Sequence, residues 1–183
     1  FVDTTYNPVG SYKRTFALSY DDFIGQKDFY LHFGAVNSAF YVWINGEKVG
    51  YKEGTKTPAE FKITKYLKPG KNNIAVEVYR WSSASYLEDQ DFWRLSGIER
   101  DVYIYKTPKS RIKDFFVTPG LDKNYDKGIL DGYAVIDAES SRKNLQVNLK
   151  IWDEGKVISE ITRPIAEAKS DTLKFHISDL DIK

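Results

Sequence analysis

Asn45-Gly46 separates two strand-like runs, and this junction constrains the chain more than any other feature of its sequence. Asn followed by Gly tolerates the positive φ angles of a type I′ turn, whose twist matches that of two antiparallel strands. Ser38 to Ile44, before it, is apolar on both faces, as a central strand of a sandwich is. With Glu47 to Tyr51 after it, NSAFYVWINGEKVGY is predicted to form a β-hairpin.

The neighbouring segments carry the same two-residue period. Asp28 to Val36 places Phe29, Leu31 and Phe33 on one face and Tyr30, His32 and Gly34 on the other. Lys68 to Asn72 reads as a turn, after which Asn73 to Arg80 alternates Ile74, Val76 and Val78 inward with Ala75, Glu77 and Tyr79 outward. Arg100 to Tyr105 closes this block. Around Lys106-Thr107-Pro108-Lys109-Ser110 the texture changes, which suits a joint between domains at 1–107 and 108–183. Beyond it, Ile112 to Val117, Gly132 to Ala138, Asn144 to Trp152, Lys156 to Ile161 and Thr172 to Ile177 recur at the spacing of a small immunoglobulin-like β-sandwich. The 13 Tyr, 11 Phe and 4 Trp favour pleated, half-buried surfaces. The fold class expected is all-β.

Charge excludes some partners. The 27 Lys plus Arg balance 26 Asp plus Glu, and no segment gathers the basic residues into a stripe, so neither nucleic acid nor an anionic membrane is expected as a partner. Apolar runs are strand-sized and interrupted by charge well short of a membrane helix. Cysteine is absent, which removes disulfide, thiol and zinc-cluster chemistry. Methionine is absent too and the first residue is Phe1, so an internal piece or a processed chain is expected. A signal peptide would then be out of view, and cytoplasmic and periplasmic locations are both open.

Few residues offer chemistry. His32 and His176 sit far apart inside strand patterns and read as structural. Asp122-Lys-Asn124-Tyr-Asp126-Lys-Gly128 imitates the start of a calcium loop, but its glycine comes one residue late and Tyr133 stands where a bidentate Glu is required, so a hairpin connection is expected. The conspicuous stretch is SYLEDQDFWRLSGIERDV, Ser85 to Val102, with Glu88, Asp89 and Asp91 beside Phe92, Trp93 and Arg94. Carboxylates next to aromatic rings suit sugars, because hydroxyls donate to carboxylate oxygens and a pyranose face packs on a ring. The plain alternative is that Asp89 and Asp91 cap turns or pair with Arg94 and Arg100. A two-carboxylate glycosidase would need groups facing each other across roughly 5 to 10 Å. Neighbours on one short loop point apart, so this loop is not expected to supply both.

The run AVNSAFYVWINGEKVGY, then TPAEF at Thr57 to Phe61, then LKPGKNNIAVEVYRWSSASYLEDQDFWRLSGIERDV, resembles the N-terminal region of the large LacZ-like bacterial β-galactosidases of glycoside hydrolase family 2. The resemblance runs from about Asn7 to Val102; residues 108 to 183 resemble the family's following immunoglobulin-like domain in position and strand rhythm. It implies a jelly-roll, galactose-binding-like β-sandwich for the first domain, leaning over a separate (β/α)8 barrel whose sugar pocket it completes. It implies that Asn37 contacts galactosyl hydroxyls and that Asp91 binds near the galactosyl 6-hydroxyl and helps hold sodium. Glu88, Asp89, Trp93 and Arg94 would be loop structure. Magnesium is expected only in the barrel, and an oligomer fits the family's habit.

Position 99 departs from the resemblance, with Glu99 where an aromatic is expected in many relatives, and only surface packing should change. The catalytic glutamates are expected on the barrel, the acid/base following an asparagine, and no Asn-Glu dipeptide occurs here. FVDTTYNPVGSY aligns inside the jelly roll, so opening strands of that domain are expected to be missing. The reading is thus a non-catalytic part of a retaining β-galactosidase, inactive by itself, whose partners are β-galactosides and the barrel of its own polypeptide. Its rivals are a free carbohydrate-binding module and a structural adhesion module.

Overall fold

A computed structural model of the chain describes residues 5–25, 27–88, 91, 93–138, 144–165 and 171–181. The described residues form fourteen strands and three single-turn 3-10 helices. They separate into two compact units, residues 1–108 and 109–183. β9 runs up to Pro108 and β10 begins at Ser110, so two strands flank the division.

The first unit contains β1 (Val9–Leu18), β2 (Lys27–Phe33), β3 (Val36–Asn37), β4 (Ala39–Ile44), β5 (Glu47–Glu53), β6 (Ala59–Lys62), β7 (Gly70–Tyr79), β8 (Gly97–Ile98) and β9 (Val102–Pro108). A four-stranded sheet, β1-β7-β4-β5, faces a three-stranded sheet, β6-β2-β9, and β3-β8 forms a short ribbon. Each pairing is antiparallel. The unit is a β-sandwich, as expected.

The predicted hairpin is β4-β5. Ile44 pairs with Glu47 across Asn45 (φ 53°) and Gly46 (φ 89°), the two positive angles of a type I′ turn. Asn45 does more than turn the chain, because its Nδ2 donates to Tyr66 O (2.9 Å) and its Oδ1 accepts from Asn73 N (2.9 Å). The apolar character of both β4 faces has two causes. Phe40, Val42 and Ile44 are buried in the core, whereas on the other face Tyr41 packs against Trp43, Tyr51 and Tyr79 with Lys48 Nζ 4.0 Å from its ring centroid.

From the facing sheet, β2 buries Phe29, Leu31 and Phe33 as its alternation requires. Phe33 meets Phe40 across the sandwich at 4.7 Å and Phe61 edge-on at 6.2 Å. Each fully buried ring of this kind contributes about 1.5 to 3 kcal/mol. On the outer face, His32 sits 3.0 Å from Glu60 of the neighbouring strand, an ordinary cross-strand pair.

The second unit contains β10 (Ser110–Leu121), β11 (Lys127–Ala138), β12 (Gln146–Asp153), β13 (Lys156–Pro164) and β14 (Thr172–Asp181). Its sheets are β10-β11-β14 and β12-β13. Ala134, Ile136 and Leu173 from the first pack with Val147 from the second and with Ile165, which makes a small two-sheet sandwich of immunoglobulin-like type. All five expected strands are present; four run further than expected, and β12 begins two residues later, at Gln146. The calcium-like stretch is the β10-β11 hairpin turn: Asp122 Oδ1 accepts from the N–H of Asp126 (2.8 Å) and Lys127 (3.1 Å). Those main-chain donors, Lys127 first, hold the Asp122 carboxyl below its ordinary range. His176 pairs with Asp131 across the strands at 2.7 Å.

Candidate functional site: a braced loop beside Asn37

Asn37 is placed by the shortest ribbon of the fold. It ends β3, pairs with Gly97 of β8 and is 6% exposed. Gly97 has φ 131°, where an L side chain is strained, and a Cβ there would approach Tyr12 Oη at 3.3 Å. Immediately after Asn37, the N–H and the hydroxyl of Ser38 both donate to Tyr79 O, each at 3.1 Å. The Asn37–Ser38 peptide is cis. The pairing with Gly97 on one side and the Ser38 bonds on the other hold the Asn37 backbone.

The conspicuous loop reaches Asn37 through Glu88. Ser83–Tyr86 forms a 3-10 turn, and the Glu88 N–H donates to Ala84 O (2.9 Å). The Glu88 carboxylate then accepts from Thr55 twice, with Oε1 taking the backbone N–H (2.7 Å) and Oε2 the hydroxyl. The same hydroxyl lies 3.3 Å from Asn37 Oδ1. Three separated segments thus meet at one point.

Arg94 closes the loop from the other side. Its guanidinium donates to the carbonyl oxygens of Ser85 (3.4 Å) and Glu88. A second brace joins the turn to β5, where Glu53 accepts from the Ser83 hydroxyl at 2.8 Å and from the Tyr51 hydroxyl at 2.7 Å. These donors, Tyr51 first, lower the Glu53 pKa, while burial, helped by Glu53, pushes Tyr51 up to about 12. The notch that results is lined by Asn37, Thr55, Ser85, Glu88 and Arg94.

The residues singled out in the sequence fare differently. Asp91 occupies an exposed bend three residues past Glu88. Asp89 and Phe92 lie outside the described residues. Arg94 has the scaffold role expected of it. Trp93 is 82% exposed. Glu99 is exposed at the surface, where its carboxylate sits 3.5 Å from Lys56 Nζ. Thr55 was not singled out in the sequence, because only the fold brings it to residue 88.

Sodium fits this chain only in part. Hard cations take about six oxygen ligands, and no group of three or more Asp, Glu or His able to hold a metal occurs among the described residues. Asp91 is exposed and stands in no such group. The larger cavity of the first unit, about 940 Å³, lies between β1 and β9 and is walled by core residues such as Phe29, Leu31, Phe33, Ile74 and Val76. That apolar cleft is an opening into the core. The notch at Asn37 is far smaller, about 10 Å³, and brings together a carboxamide, a hydroxyl and a carboxylate whose two oxygens both accept from Thr55.

Residues 2–108 match the family described as glycosyl hydrolases family 2, sugar binding domain. Among curated proteins, the chain is 60% identical over 130 residues to a β-galactosidase of Priestia megaterium (strain DSM 319 / IMG 1521), covering 71% of this chain and 12% of that protein. It is 41% identical over 177 residues to a β-galactosidase of Lactobacillus delbrueckii subsp. bulgaricus, covering 96% and 17% respectively. The chain thus spans only 12% and 17% of the length of these relatives. Among solved structures, a β-glucuronidase of Bifidobacterium dentium superposes with TM-score 0.76 at 22% identity, over 94% of this chain and 33% of that one. A putative β-galactosidase of Bacteroides fragilis superposes with TM-score 0.77 at 19% identity, over 97% and 28%. At these identities the structures establish the shared fold alone.

Proposed function

We propose, for a chain that belongs to glycosyl hydrolases family 2 through its sugar binding domain, that it is the non-catalytic sugar-binding portion of a β-galactosidase. The carrying observation is the 60% identity to a β-galactosidase over 130 residues. The fold adds support, because the most carboxylate-rich loop of the chain is tied to Asn37 through Glu88 and Thr55.

In this reading Asn37 and Asp91 bind and orient a terminal β-D-galactosyl unit, and bond cleavage belongs to a (β/α)8 barrel elsewhere in the polypeptide. There one glutamate attacks the anomeric carbon while another protonates the leaving oxygen, with retention through a galactosyl-enzyme intermediate. Sodium, when bound, supplies a positive centre for a sugar hydroxyl, and Asp91 is the ligand this chain offers it. Magnesium stays with the barrel. Asn37, buried and pinned through its backbone, contributes a carboxamide whose main chain needs no ordering when substrate arrives.

The test uses the full-length polypeptide that carries this chain. Asn37→Ala and Asp91→Ala should each lower kcat/KM for a chromogenic β-galactoside by roughly tenfold or more, the cost of one lost charge-assisted or buried hydrogen bond. The 183-residue chain by itself should show no turnover. Unchanged hydrolysis by both variants would sink the assignment and favour a structural module, whereas tight galactoside binding by the isolated chain would favour a free carbohydrate-binding module.

A further inference from the structure

The contact between Thr55, Glu88 and Asn37 contains a proton count that does not close as it stands. Thr55 Oγ1 carries one hydrogen, yet two acceptors face it: Glu88 Oε2 and, at 3.3 Å, Asn37 Oδ1. A carboxylate has no proton to offer in return, and its other oxygen is already engaged by the Thr55 N–H. The hydroxyl proton must therefore go to Glu88. What remains toward Asn37 is a lone pair of Thr55, which calls for a donor.

We infer that Glu88 is a positioning residue that sets the polarity of Asn37. With the Thr55 proton committed to Glu88, the Asn37 carboxamide is stable with Nδ2 turned to Thr55 Oγ1 and Oδ1 turned away from it. The two halves of a carboxamide are nearly isosteric, so this turn requires no movement of the backbone that pins Asn37. Asn37 then meets a substrate hydroxyl as an acceptor. The hydroxyl recognised must donate.

A single-atom change reverses the chain of consequences. In Glu88→Gln, the Thr55 N–H needs an acceptor and so fixes the new amide with its oxygen on the N–H and its nitrogen on Thr55 Oγ1. The Thr55 proton is released to Asn37 Oδ1, and Asn37 now shows Nδ2 outward. Its preference changes from a hydroxyl that donates to any group that accepts.

This inference rests on the proposed role of Asn37 in galactoside binding, and the experiment separates the two. In the full-length polypeptide, inhibition constants are measured for methyl β-galactoside and its 3-, 4- and 6-deoxyfluoro analogues, since fluorine accepts weakly and cannot donate. The wild type should bind one analogue roughly tenfold or more weaker than the parent, the loss of one donated hydrogen bond, and Asn37→Ala should erase that difference. Glu88→Gln should shrink the same difference toward unity. Thr55→Ser, which keeps the hydroxyl, should retain the wild-type ratio; Thr55→Val should lose it and make Glu88→Gln silent. The inference is overturned if Glu88→Gln or Thr55→Val keeps the wild-type ratio, whatever happens to the melting temperature. If Asn37→Ala leaves galactoside hydrolysis and all ratios unchanged, it is the binding role of Asn37 itself that fails.

Discussion

Asn45 donates from Nδ2 to the side-chain oxygen of Asn72 at 2.8 Å, joining the tip of the β4-β5 hairpin to a carboxamide with 0% exposure. Asn72 Oδ1 also accepts from Lys68 N (3.0 Å), and its Nδ2 donates to the carbonyls of Lys68 (2.7 Å) and Gly70 (3.1 Å). Every polar atom of this buried side chain is satisfied. Asn72→Ala should leave several of these partners without one and cost about 2 to 4 kcal/mol, more than an average core polar substitution. Denaturant titration of the full chain gives the value; a loss below about 0.5 kcal/mol would mean that water replaces the amide freely.

The relation between Asn45 and Asn72 illustrates how much could be read beforehand. Asn45-Gly46 announces its turn locally, as does the alternation of Phe29, Leu31 and Phe33, because turn torsions and strand period are properties of adjacent residues. The sandwich and its immunoglobulin-like neighbour were legible for that reason. The bonds of Asn45 to Tyr66, Asn72 and Asn73 were not, since they join residues 21 to 28 positions apart. The site divides in the same way. Asn37 and Asp91 came from a motif match, whereas the part played by Thr55, 33 residues from Glu88, exists only once β5 and the loop have met.

Gly132 makes a prediction for the second unit. A Cβ added there would stand 2.4 Å from Phe116 O and 2.4 Å from Phe175 Cζ, both on neighbouring strands of the sheet. One of these contacts is backbone and cannot rotate away. Gly132→Ala should therefore destabilise the second unit by about 1 to 3 kcal/mol. Thermal unfolding monitored in the full chain should show the loss, and an unchanged transition would contradict the close approach.

Asp22 gives a pH dependence. Lys106 Nζ lies 2.6 Å from its Oδ1, and the Ser19 N–H donates to Oδ2 at 2.8 Å. The Lys106 contact, then the Ser19 amide, lower the carboxyl from 3.8 to about 2. A carboxylate depressed in the folded state favours folding above its unfolded pKa, and that contribution fades as the pH drops from 3.8 toward 2. The melting-temperature gap between wild type and Asp22→Asn should therefore be present at pH 6 and narrow through this window. A gap that stays constant from pH 6 to pH 2 would show that the pair has no titrating role.

Asp91 allows the sodium proposal to be tested by removal. In the full-length polypeptide, replacing sodium with a large organic cation at constant ionic strength should weaken galactoside binding in the wild type. Asp91→Ala should bind weakly in both media. A sodium response of equal size in wild type and variant would exclude Asp91 as a ligand.

Arg94 grips the 85–88 turn by carbonyl oxygens, and every residue carries one. The clasp is consequently blind to the side chains it encloses. Tyr86 and Leu87, 66% and 87% exposed, project from a frame that does not depend on what they are. Those two adjacent positions can therefore change without loosening the clasp, since neither side chain is a point at which the loop is held.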